Sequence, residues 1–247
     1  MTVHYHGTPI TPLAVLHSLA GRSFCVSWNH PAQVKLCHAI GQSVLLDNGA
    51  FNYWSSGLCP DWSEYYRFAE QWLVYHTTWA IIPDVIDGSE DDNDRLIAEW
   101  PHGQRGAPVW HMHESIARLI RLADTWSRVC IGSSAQFRTV GSPAWHQRMI
   151  EAMNALCGNG PAPVWLHMLR GMQCSEWGYP FASVDSTDIA RNHNKGGPTV
   201  EGKILRAQEM ACRWDARQCP AVWTVRSEQQ SLFEVSDVSR DLQNVRL

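Results

Sequence analysis

Seven short apolar runs, four of which close on an acid or a histidine, constrain this chain more than any other feature. They are Ser23–Ser27, Ser43–Asp47, Trp79–Asp84, Pro108–His113, Arg128–Ser133, Val164–Leu169 and Phe181–Asp185. Each is short and rich in β-branched or aromatic residues, as buried strands are. Between several of them lie stretches with apolar residues at helical spacing: Trp62–His76, Ser115–Trp126, Ala144–Leu156 and Thr199–Arg217. Strand and helix therefore alternate, which is the pattern of a parallel sheet. An N-terminal run, Val3–His6, brings the strands to eight. The expected fold is a single-domain α/β (β/α)8 TIM-type barrel over residues 1–247; an open doubly wound sheet is the alternative. The 247 residues match the ~250 typical of one such barrel. The loop Asn192–Pro198 and the tail after Cys219 read as flexible.

The polar residues that close the runs are the chemistry-bearing ones. Asp47, Asp84, the pair His111 and His113, and Asp185 each follow an apolar run. One such Asp is usually a turn former or a helix cap. Three Asp and a His pair at the C-terminal ends of parallel strands point to one shared pocket. Two HxH pairs, His4/His6 and His111/His113, leave a second reading open. With His167 and Asp185 they could form the metal site of an amidohydrolase-type barrel, in a chain with 12 His.

The same stretches carry a family resemblance. Asp47-Asn48-Gly49-Ala50-Phe51 closes one strand and Asp84 closes the next. Ile131-Gly132-Ser133-Ser134 forms a later loop. Val184-Asp185-Ser186 follows VWLHMLRG, and Ala190-Arg191-Asn192 follows that. In this order, over roughly residues 40–195, the chain resembles the queuine/archaeosine tRNA-guanine transglycosylase superfamily. It is most similar to the small phage-type relatives that insert 7-deazaguanines into DNA. It departs where the family has Gln-Gly-Gly, carrying His111-Met112-His113, and it lacks the CxCxxC-plus-His zinc element of the tRNA enzymes.

The resemblance implies a guanine base exchange with no metal or other cofactor, a 7-deazaguanine serving as co-substrate. Asp185 would be the nucleophile, with Asp188 as the other candidate, and Asp47 the general acid and base. Asp84 would read the guanine edge, with His111 in place of the family's Gln and backbone groups of Gly132, Ser133 and Ser134 on the base oxygen. Phe51, Trp110 and Phe137 are candidates for stacking. Arg170, Arg191 and Lys195 would meet the nucleic-acid backbone. DNA is the expected polymer, tRNA the alternative, and a homodimer an expectation by family analogy.

Composition sets the remaining bounds. A 45% hydrophobic fraction excludes a disordered chain. No apolar run approaches the ~20 residues of a membrane span, and the opening MTVHYHGTPITP lacks the layout of a signal peptide. A soluble, cytoplasmic protein is expected. The eight cysteines are widely spaced without a CxxC, which favours reduced thiols, with Cys25 and Cys130 in the core. The net charge of −4 hides an asymmetry. Residues 101–148 hold six Arg (105, 118, 121, 128, 138 and 148) against Glu114 and Asp124, and residues 80–99 hold seven acids against Arg95. That asymmetry allows a basic face for phosphates. The competing reading is a solvated helix face for Arg118, Arg121 and Arg128.

Overall fold

The computed structural model describes residues 1–58 and 60–227. Nine strand segments alternate with helices: β1 (Val3–Gly7), β2 (Ser23–Ser27), β3 (Ser43–Asp47), β4 (Thr78–Ile81), β5 (Gly106–Ala107), β6 (Val109–His111), β7 (Arg128–Gly132), β8 (Trp165–Met168) and β9 (Ser183–Ser186). They form one parallel sheet in the order β5-β4-β3-β2-β1-β9-β8-β7-β6. β5 and β6 are a single course interrupted at Pro108. On one side the Ala107 carbonyl accepts from the Ile82 amide at 3.0 Å; on the other the Pro108 carbonyl accepts from the Cys130 amide at 2.9 Å. The two ends of the sheet order therefore meet at one residue, and eight courses close a (β/α)8 barrel, as expected.

The helices are α1 (Leu13–His17), α2 (Val34–Ile40), α3 (Ala50–Ser56), α4 (Trp62–Trp72), α5 (Glu90–Glu99), α6 (Ile116–Thr125), α7 (Pro143–Cys157), α8 (Asp188–Asn192) and α9 (Val200–Asp215). Side-chain oxygens of Asp61, Ser89, Ser115, Ser142 and Thr199 accept first-turn amides and so start α4, α5, α6, α7 and α9. No helix among the described residues is long and apolar enough to cross a membrane.

Strand alternation sorts the side chains into two layers. Tyr5, Cys25, Leu45, Trp79, Ile81, Ala107, Val109 and Cys130 fill the barrel interior. Their strand neighbours Phe24, Val26, Val44 and Leu46 pack under α1, α4 and α9, and Trp110, Val129, Ile131 and Leu166 pack under α6 and α7. At the N-terminal end, the Arg128 guanidinium lies 5.9 Å from the Trp79 ring centre and 6.0 Å from that of Trp165, closing the barrel floor.

The structure departs from the sequence reading in three places. Arg118, Arg121 and Arg128 do not share one solvated helix face. Arg118 is fully buried, 2.6 Å from Glu114 and 2.9 Å from Asp94, whereas Arg121 is half exposed and reaches Asp94 at 2.5 Å, and Arg128 lies on β7. Asp94 of the acidic stretch thus pairs with two arginines of the basic stretch across α5 and α6. The loop Asn192–Pro198 is anchored, because His193 is buried and its ring nitrogens bond the Ile189 and Thr11 carbonyls at 2.8 and 2.7 Å. Beyond Cys219, Trp223 is buried and its indole N–H donates to Asn154 on α7 at 2.9 Å; residues 228–247 of that tail lie outside the described residues. The seven cysteines among the described residues are free thiols.

Candidate active site

The C-terminal ends of the strands open into a cavity of about 720 Å³. Asp47, Asp84, His111, Gly132, Ser133, Asp185, Phe51, Arg170 and Arg191 all line it. Four different strands or their exits supply its three carboxylates and His111, so the barrel itself brings them together.

The first piece is the turn after β3. Asp47 is the last residue of that strand and faces inward. Gly49 sits at φ +74°, and a Cβ there would collide with the Asn29 amide nitrogen. The left-handed turn lets the Gly49 amide donate back to Asp47 Oδ1 at 3.3 Å and starts α3 at Ala50. Asn48 points the other way. Its Oδ1 accepts from the Ala50 amide at 2.8 Å, and its amide donates to the Ile82 carbonyl and to Asp84 Oδ1, each at 2.8 Å. One side chain therefore ties the β3 exit to the β4 exit. Burial and the nearby charge of Asp185 push Asp47 up to about 6, against hydrogen bonds from Gly49 and Ser27 that pull it down.

The second piece is Asp84. It is 9% exposed, and its Oδ2 lies 3.0 Å from His111 Nε2. His111 faces inward from β6 and leans on Gly132, where a Cβ would come within 2.9 Å of its Nδ1. The Ser133 hydroxyl accepts from the Trp145 indole at 2.9 Å and the Ser134 hydroxyl is 2.7 Å from His113 Nδ1. What this segment presents to the cavity is main chain. His113 Nε2 donates to the Gly88 carbonyl at 3.1 Å, so His113 is a brace between loops and takes no place beside His111 in the cavity.

The third piece is Asp185, 8% exposed. Its Oδ1 accepts from the Arg170 amide at 2.7 Å and lies 3.3 Å from His167 Nε2. Arg170 is held at φ +53°, a cost that residues without glycine's freedom carry mainly at functional sites. His167 is oriented in turn. The Trp165 indole donates to Ser183 Oγ at 2.7 Å, and Ser183 Oγ lies 2.8 Å from His167 Nδ1. An indole can only donate, so Ser183 Oγ accepts from Trp165 and fixes the His167 ring through Nδ1, with Nε2 turned toward Asp185. Asp185 Oδ1 thus accepts from the Arg170 amide and has the His167 ring beside it, which leaves Oδ2 as its less engaged oxygen. Asp188 points elsewhere, accepting from the Trp214 indole at 2.9 Å and from Asn192 at 2.7 Å.

Several residues expected at the site lie outside the cavity. Ser134 borders an adjoining recess rather than the cavity. Lys195 is exposed on the turn after α8 and does not line it. Trp110 is fully buried under α6 and α7, and Phe137 packs against the same cluster beneath Arg148. Of the three stacking candidates, Phe51 alone reaches the cavity mouth. His4 and His6 face the outer layer, where His6 Nε2 lies 3.2 Å from Asp215 and His4 Nε2 bonds Ser175 at 2.9 Å. They do not meet His111, His167 and Asp185, which face the interior. Among the described residues no group of three or more His, Cys, Asp or Glu is arranged to hold a metal ion. The tie that Asn48 makes between two strand exits was not anticipated from the sequence, and His167 and Asp185 were brought together there only in the metal-site reading. Strand parity was the available signal, since His167 pairs with Ser183 two residues before Asp185.

No protein-family model and no curated protein matches the chain significantly. Among solved structures it is similar to one described as "Native KDPGal structure", with 13% sequence identity over 86% of this chain and 96% of that chain and a TM-score of 0.43. That likeness carries no residue role across.

Proposed function

We propose that this barrel is a glycosyltransferase that exchanges guanine in DNA for a 7-deazaguanine base, through a covalent bond between Asp185 and the sugar. The observation that carries the reading is the pairing, in one cavity, of Asp185 held through Oδ1 with an Asp47 raised to about 6 by burial and by Asp185 itself. Two carboxylates in one site with divergent environments are what a retaining displacement at an anomeric carbon requires.

In the first half-reaction Asp185 Oδ2 attacks C1′. The C1′–N9 bond breaks, its electron pair leaves with guanine, and the Asp47 proton neutralises the departing base. In the second, the Asp47 carboxylate takes the N9 proton of the incoming base. N9 attacks C1′, and the C1′–Asp185 ester bond breaks. Asp84 holds the base. Asn48 and His111 each engage one of its oxygens, and each oxygen keeps a lone pair for the guanine N1–H and 2-amino group. The buried His111 ring and the main chain of Gly132–Ser133 line the cavity beside the rest of the base edge. The identity of the incoming base rests on the family resemblance of the DNGAF, VDS and ARN segments.

Uptake of labelled guanine into single-stranded DNA tests this. Wild type and Asp188→Asn should exchange, and Asp185→Asn should not while remaining folded. Exchange by Asp185→Asn at the wild-type rate would remove the nucleophile. Exchange into tRNA but not DNA would keep the chemistry and change the polymer.

A further inference from the structure

Beside the cavity lies a second recess of about 340 Å³ that shares Phe51, Ile86, Ser133 and Arg170 with it. We propose that this recess holds the nucleotide next to the exchanged one, its base on the Phe51–Trp54 surface and the linking phosphate between Arg170 and Arg138. This rests on the base-exchange reading of the neighbouring cavity.

Four observations converge on it. Phe51 and Trp54, one turn apart on α3, are 45% and 40% exposed with ring centres 5.6 Å apart, so two aromatic faces stand in solvent together. The Trp54 indole donates to Asp87 at 2.9 Å, which fixes the ring plane and engages the one acid that lines the recess. An arginine attends each ring: Arg170 at 4.4 Å from the Phe51 centre and Arg138 at 6.0 Å from that of Trp54. Among the described residues the two non-glycine residues with positive φ, Ala135 at 45° and Arg170 at 53°, both border this recess. Strained backbone of this kind gathers at ligand clamps.

The chemistry selects the occupant. A flat aromatic platform takes any base by its face, and paired guanidinium groups take phosphate. A free base or a nucleoside would satisfy only the first. A base also cannot lie on Trp54 while stacked in a duplex, so the occupant is single-stranded or flipped. Arg170, bordering both spaces, is placed where the phosphate joining two nucleotides would pass. Of the Arg of residues 101–148, Arg138 is the one that lines the recess, its Nε donating to the Ala135 carbonyl at 3.0 Å.

The test is equilibrium binding by fluorescence anisotropy. The probe is a labelled single-stranded DNA pentamer with a central guanine, compared with pentamers carrying an abasic site on either side of it. Trp54→Ala should weaken binding about 10-fold, the scale of one lost stacking contact. One abasic pentamer should weaken wild type by a similar factor and Trp54→Ala by almost nothing, because both remove the same contact. Arg138→Ala should weaken all pentamers alike. Wild-type affinity in Trp54→Ala, or independent losses that multiply, would overturn the proposal. Guanine exchange by the wild type is measured in parallel. A recess that fails while exchange proceeds leaves the reaction standing. Binding that follows the prediction with no exchange removes the reaction and keeps the recess.

Discussion

In the proposed exchange Asp47 acts as an acid in one half and as a base in the other, and a value raised to about 6 suits both. The sign follows from the direction. Below about pH 6 the carboxyl holds its proton, so departure of guanine is fast and return of the new base is slow. Above it the order reverses. In single turnover, guanine departure should therefore slow as pH rises through about 6 and return of the new base should slow as pH is lowered, and Asp47→Asn should flatten both profiles and lower the rates ~100-fold or more. The same shift has a cost in stability. A folded value above the unfolded one means the ionised form is disfavoured by folding, so wild type loses stability as pH rises from about 4 to about 6. Asp47→Asn should unfold at higher denaturant than wild type at pH 8, by about 3 kcal/mol, with no difference below pH 4. His167 acts at one remove, by holding Asp185. Its replacement by Ala should lower kcat ~10-fold or more, the scale of one polar contact to a charged group, with KM unchanged. His167→Gln, which keeps an N–H donor, should recover part of the loss. An effect confined to KM would show that His167 does not orient the nucleophile.

The β3–α3 turn shows how one element can set a whole site. Gly49 at φ +74° and Asn48 between two strand exits mean that Asp47 and Asp84 are placed by the three-residue turn 48–50. Gly49→Ala adds a Cβ that collides with Asn29, in a strained conformation. It should cost ~1–3 kcal/mol in chemical denaturation and lower exchange as well. A variant of unchanged stability and activity would contradict this description of the turn. Elements of this kind were legible in the sequence because polarity marked them: an acid ending a β-branched run is costly to bury, and three such acids in one chain mark a shared pocket. α5 was not legible, because it buries one polar side chain, Asn93, and no apolar stripe. Asn93 ties the helix to Val85 and to Glu114 instead, and a hydrophobic period cannot report that. Trp110 was misplaced for the opposite reason. The alternation that set His111 beside Val109 also turns Trp110 outward, so parity held the answer that composition obscured.

At the scale of the molecule, a chain of net charge −4 meets a polyanion only through local charge. Arg118 and Arg121 of α6 are held by Asp94 of α5, and the arginines that line the cavity and its adjoining recess are Arg138, Arg170 and Arg191. Three phosphate contacts imply that the logarithm of DNA affinity falls with the logarithm of salt with a slope of about −2. Arg191→Ala should reduce that slope by ~0.7, and Lys195→Ala should leave it unchanged. A slope near zero would mean that these arginines meet no phosphate. The barrel's closure through the Pro108 course, the floor at Arg128 and the outer packing of Trp223 all serve to hold four strand exits in one arrangement, and the central claim concerns what that arrangement does. It is tested most directly by mass spectrometry of the acid-quenched protein, after incubation with single-stranded DNA in the absence of any incoming base. A DNA adduct that has lost guanine, attached to the peptide carrying Asp185 and missing in Asp185→Asn, is the predicted result. Guanine release with no adduct, or an adduct carried by a different residue, would contradict the account.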